Sequence, residues 1–328
     1  MNADRPTLVA VRDAAATLAR GAGGDRLSAI LADIVIPAKA RPTERQRAAL
    51  DRRMEALLAD LLDRFAVVIG EPLDLPGSKA LERLRATGLV VIPGLIETAI
   101  LFAQAGELRP APVTANDEGL LVELVGDAQG SVAAAAMDYV TGKGRRTAMR
   151  LLLEDLDAET AGALLLRTAA LVAVDARVGH DRALEAAKSM LGGYDESRGL
   201  FVLADRLARA LDAAGQMGPE RLIAASFTGD AVLLASMLAR RAGGATTSAL
   251  DALTRPAEDV LGDLLALSGL DRGSAAALLS SWIAFVPSLD AARAIARFDG
   301  ADRAALERLR ADRQRPLEFR TALERLSA

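Results

Sequence analysis

The apolar residues of this chain recur at helical spacing almost from end to end, and two-residue alternation is nearly absent. The clearest case runs from Glu44 to Ile69. There Leu50, Met54, Leu57, Leu58, Leu61, Leu62, Phe65, Val68 and Ile69 form one sustained stripe on a 3.6-residue period. Thr43 and Gln46 match a capping box behind Pro42, while Gly70 and Pro72 mark the stop. At 1.5 Å per residue such a helix is roughly 39 Å long, enough to organise several shorter helices along its stripe.

The core must be built almost without rings. Only 3% of the residues are aromatic against 51% apolar, so Ala, Leu, Val and Ile have to bring helices to close range. At 328 residues the chain also exceeds what one core usually serves. Either one elongated array or two packed subdomains is therefore expected.

Residues 7–20 and 25–36 read as a helical hairpin broken at Gly21–Gly24. After the long helix, the spacing predicts helices over 77–87, 94–105, 117–125, 131–140 and 145–153, then a longer, strongly apolar one over 157–176. Past His180, helices are predicted over 181–191, 199–214, 219–226, 230–242, 246–253, 257–267, 272–284, 289–298, 302–312 and 317–326. Pro110 and Pro112 mark 107–115 as a loop. Leu89 to Ile92, before Pro93, is the one hint of extended structure, equally readable as a buried helix start. The Gly126-Asp127, Gly229-Asp230 and Gly262-Asp263 pairs are unequally spaced, so no fixed repeat period emerges. The expected fold is all-α, an irregular helical-repeat (HEAT-like) or multi-helical array. The best candidate boundary is Gly192-Gly193-Tyr194, which separates an N-terminal region 1–192 from a C-terminal region 193–328.

One histidine and no cysteine remove the commonest general bases, thiolate nucleophiles and transition-metal ligands. No cofactor or metal is expected, and an enzyme is disfavoured. A net charge of −4 supplies no global attraction for nucleic acid or anionic lipid. The absence of cysteine suits a reducing cytoplasm, and Met1 to Pro6 lacks the apolar core of a secretory signal. The longest uncharged stretch, Gly273 to Leu289, contains Pro287 and falls short of the roughly 20 residues a membrane span needs. A cytoplasmic location is expected.

The most suggestive polar cluster is Thr141-Gly142-Lys143-Gly144-Arg145-Arg146-Thr147. Its glycines would free the backbone to wrap an anion, and a following helix would aim amides at it. A Walker A motif is excluded by Met137 at its first glycine position and Gly144 after the lysine. Lys143, Arg145, Arg146 and Arg150 are thus candidate contacts for an anion or a partner, against a plain solvated loop. Glu154, Asp155, Asp157 and Glu159 match capping and dipole compensation better than a metal site. His180 reads as a surface or capping residue and Trp282 as core. The arginines from Arg303 to Arg320 alternate with acids, as a salt-bridged face does.

Thr43-Glu44-Arg45-Gln46-Arg47, together with Phe227-Thr228-Gly229-Asp230 through Leu267-Ser268-Gly269-Leu270, resembles an uncharacterised bacterial helical family, a domain of unknown function likened to HEAT-type repeats. The likeness spans about Thr43 to Phe285 and is blurred over Ala80 to Leu151. It implies an all-α repeat fold and carries over no functional residues.

The residues favour a non-enzymatic cytoplasmic helical scaffold that binds another protein, in a regulatory role, with self-association through Glu44 to Ile69 as a compatible addition. The alternative is a small-ligand or nucleotide-binding regulator acting through the basic loop 142–150.

Overall fold

The computed structural model describes residues 44–108, 119–255 and 258–313, with single positions up to 326. The expected hairpin over 7–36, the cap at Thr43 and most of the 107–115 loop lie outside them. All regular structure among the described residues is helical. The chain forms two compact units, one of residues 44–103 and 146–199, the other of 104–145 and 200 onward. A contiguous division at 192/193 therefore does not describe it. Residues 104–145 belong with the C-terminal helices, and the last crossing falls between Gly199 and Leu200.

In the first unit, α1 (Glu44–Ile69) has α2 (Gly77–Ala86), α6 (Ala158–Asp175) and α7 (His180–Gly192) packed on it. Its stripe is the core. Leu57, Leu58, Leu61 and Phe65 are completely buried. Burial needs an opposing element as well as a period, so Val68, near the end of the stripe, is exposed while Ile69 beside it is buried. Left-handed Gly70 closes the helix, with Gly70 and Glu71 both donating to the Ala66 carbonyl. At the start of α2, a Cβ on Gly77 would lie 2.5 Å from the Glu55 carbonyl oxygen, so only glycine allows that approach. The Leu89–Ile92 stretch is a turn without strand pairing. Arg167 of α6 donates to the Leu89 and Val91 carbonyls, and α3 (Pro93–Gly106) starts there.

The second unit begins with α4 (Gly119–Val125) and α5 (Gly130–Gly144), then runs through α8 (Leu200–Ala213), α9 (Pro219–Phe227), α10 (Ala231–Ala242), α11 (Thr246–Thr254), α12 (Glu258–Leu267), α13 (Arg272–Trp282), α14 (Ala291–Asp299) and α15 (Arg303–Arg313). Five helices form a row: α5 packs on α8, α8 on α10, α10 on α12 and α12 on α14. At the centre, α10 is buried from Ala231 through Ala239, as expected of a helix apolar on all sides. Arg293 reaches Asp259 at 3.2 Å and Arg297 reaches Asp263 at 2.7 Å. Both partners advance by one helical turn, so α12 and α14 run parallel. Gly262 lets them approach, since a Cβ there would lie 2.6 Å from the Ala294 carbonyl oxygen. Asp230, Asp271 and Asp290 cap α10, α13 and α14 by accepting from the backbone three residues on. Trp282 is core, its indole Nε1 donating to the Leu253 carbonyl at 2.9 Å.

Candidate functional site

The segment read as an anion-wrapping loop is the C-terminal end of a helix. α5 continues through Gly142, Lys143 and Gly144, so the carbonyl end of its dipole faces the cluster, opposite to what an anion seeks. The helix expected over 145–153 is replaced by two short 3₁₀ turns, Thr147–Met149 and Leu153–Asp155, and Met149, which ends the first, has φ +55. The four candidate cations divide between the units, Lys143 and Arg145 in the second, Arg146 and Arg150 in the first.

Lys143 donates to Asp230 Oδ2 at 2.7 Å, and Tyr139, one turn earlier on α5, donates to Asp230 Oδ1 at 2.8 Å. The backbone N–H of Leu233 donates to the same Oδ1 at 3.1 Å. Asp230 is buried, so its carboxylate caps α10 and bolts α5 to it. Both oxygens are engaged, which makes it a strut more than a proton acceptor. Arg145 is exposed and has no ion-pair partner among the described residues.

Arg146 is a correction to the expected contact residue. Its side chain is 1% exposed and that of Asp155 is fully buried, with Arg146 Nη2 2.8 Å from Asp155 Oδ1. Arg146 Nε reaches both Asp155 oxygens at 2.9 Å, and Nη2 also donates to the Arg198 carbonyl. Asp155 Oδ2 accepts from Leu152 N as well. A bidentate pair so enclosed holds the 3₁₀ turns together and is closed to an outside ligand. Arg150 pairs with Asp60 at 3.2 Å, and Arg64 joins Asp60 to Glu154. Burial works to lower the Arg64 value, but the hydrogen bond and charge of Glu154, with Asp60, raise it above the ordinary arginine range.

Of the neighbouring acids, Asp157 behaves as capping predicts, whereas Glu154 and Asp155 are held by Arg64 and Arg146. Asp157 accepts from Thr160 N at 2.8 Å at the start of α6. Tyr194 donates to the Leu156 carbonyl beside them, and burial, then the charges of Glu196 and Asp157, push its phenol up to about 12. Among the described residues, no group of three or more His, Asp or Glu side chains is placed to hold a metal ion. His180 is exposed at the first position of α7, and Gly179 takes the cap. Sequence reasoning missed Asp60, Arg64 and the role of Asp230, because partners 87 to 90 residues apart leave no local pattern.

The accessible feature of the first unit is apolar. Leu166 is 51% exposed and Val174 62%, with exposed Ala170 between them on the same face of α6. On α7, Leu184 and Leu191 share one exposed face, and Leu191 lies over Gly162, where a Cβ would meet it at 3.9 Å. Leu191 beside Gly162, and only a short turn between Asp175 and His180, make α6 and α7 antiparallel. Lys188, between Leu184 and Leu191, pairs with Glu185 at 2.7 Å. No helix among the described residues is long and apolar enough to cross a membrane. Comparison with protein-family models, characterised proteins and solved structures finds no match for this chain.

Proposed function

We propose that this chain is a non-enzymatic cytoplasmic helical scaffold that binds another protein by laying the α6–α7 face of its first unit against an amphipathic helix. One observation carries the reading: Leu166, Ala170 and Val174, flanked by Leu184 and Leu191, expose an apolar face across two adjacent helices, while most other large apolar side chains among the described residues are buried. From Gly162 to Val174 the stripe runs about 18 Å, roughly three turns of a partner helix. The second unit packs its helices in a row, an arrangement that suits a scaffold. The cytoplasmic assignment rests on the cysteine-free composition.

Self-association through the apolar stripe of Glu44–Ile69 is not favoured, because that stripe is covered within its own unit. A homodimer would need another surface. The basic segment 142–150 is a weaker candidate for a small ligand, since Lys143, Arg146 and Arg150 all have carboxylate partners.

The test is quantitative affinity capture from native lysate with the wild type and with Leu166→Glu/Val174→Glu. A partner retained by the wild type and lost by a variant with unchanged circular dichroism and melting supports the reading. A partner captured equally by both would overturn it.

A further inference from the structure

A cleft of about 780 Å³ in the second unit lies where α8 and α10 end, with Asp205, Asp212, Met217, Arg240, Arg241 and Arg310 among its lining. Most of its charge is matched. Arg240 pairs with Asp212 at 2.8 Å and Arg209 with Asp205 at 2.6 Å. Arg241 turns onto backbone, donating to the carbonyls of Ser268 at 2.6 Å, Gly269 at 3.4 Å and Met217. It thereby satisfies the carbonyl end of α12. Arg310 of α15 is different. Its Nε is buried without a hydrogen-bond acceptor, and no carboxylate pairs with it among the described residues. A guanidinium stays charged and carries five donors; Arg310 as a whole is half-buried, and it is its enclosed Nε–H that calls for an acceptor.

Arg241 and Arg310 meet over Gly269. A Cβ built there would lie 3.7 Å from Arg241 Nη2 and 3.9 Å from Arg310 Nη1, with no other residue beyond its chain neighbours within 4 Å. Gly269 holds φ +68, so both the backbone and the space favour a residue without a side chain. The two nitrogens are therefore no more than about 8 Å apart, a gap that one tetrahedral oxyanion bridges by accepting from each on a different oxygen. Burial and then the like charge of Arg310 lower the Arg241 value, against Asp212 and Glu220, which raise it.

We infer that the second unit binds a phosphate-type oxyanion between the guanidinium groups of Arg241 and Arg310, over Gly269. Paired guanidinium forks suit the tetrahedral oxygens of phosphate. The remaining cleft has room for an organic group carrying that phosphate. This site is separate from the α6–α7 face and does not depend on it.

Calorimetry on the intact chain in phosphate-free buffer tests the site, with inorganic phosphate and AMP as probes. Saturable binding is expected, weakened at least tenfold by Arg310→Ala. Arg308→Ala should leave it unchanged, because Arg308 is exposed on the same helix and donates to the Ala304 carbonyl. Tighter binding of AMP than of phosphate marks a phosphomonoester as the occupant, and equal binding marks the free ion. No saturable heat from either probe, or full binding by Arg310→Ala with its fold intact, would overturn the site.

Discussion

The two units bury the same kinds of side chain by different plans. In the first, α2, α6 and α7 all pack on α1, so one helix is common to most of the core. In the second, contacts pass from α5 through α8, α10, α12 and α14, and each helix depends on its neighbours in the row. Their polar devices differ accordingly. Both units use aspartate caps and close glycine approaches, but among the described residues only the first encloses an ion pair on both sides, that of Arg146 with Asp155. A hub concentrates risk in a few residues, and a row spreads it.

The largest difference is expected from Asp155→Ala. It leaves the Arg146 guanidinium buried without its carboxylate and should cost about 3–5 kcal/mol by urea denaturation. Arg146→Met/Asp155→Leu should recover most of that loss, because the pair goes together; a double variant as unstable as the single would remove the pair from the account. In the second unit the most sensitive joint is Gly229. It holds φ +66, and a Cβ there would lie 2.2 Å from the Phe285 ring. Gly229→Ala should therefore cost about 2–4 kcal/mol, from left-handed strain plus overpacking. Asp230→Asn keeps a capping oxygen but weakens the Lys143 and Tyr139 contacts, so a loss of about 1–2 kcal/mol is expected. A neutral result would mean that the strut between α5 and α10 is dispensable.

The smallest effect separates the units by pH. Tyr194 in the first unit keeps its proton up to about 12, while an unfolded tyrosine loses it near 10. The folded state then binds the extra proton, so stability present below pH ~10 falls as pH rises from ~10 to ~12. Tyr194→Phe should flatten that decline. In the second unit the Gln129 backbone and the Gln216 side chain hold Asp127 low, and Ser274 holds Asp271 low. Their contribution is present above the ordinary carboxylate range and is lost as pH falls through the lowered values. Denaturation midpoints across both pH ranges check the two signs.

Much of this architecture was legible from local pattern. The α1 stripe, its glycine stop, the Asp157 cap and the buried Trp282 all follow from spacing or from one residue's chemistry. The polar segment 141–147 misled for a physical reason. Glycines near a helix end suit an open loop, but Gly142 is buried inside α5 and lets that helix run on. Arg146 looked solvent-facing because Asp155, its partner, had already been assigned to capping; it caps Leu152 and pairs with Arg146 at once. Asp60, Asp230 and the meeting of Arg241 with Arg310 depend on pairings that only the fold creates.

The most direct test of the contrast between hub and row is native-state hydrogen exchange on Phe65→Ala and Phe298→Ala, since Phe65 is fully buried and Phe298 1% exposed. Phe65→Ala should lower protection together in α2, α6 and α7. Phe298→Ala should lower it in α12 to α14 and leave α5 and α8 at wild-type levels, as nearest-neighbour coupling requires. Uniform loss across the second unit, or loss confined to α1 in the first, would contradict the account.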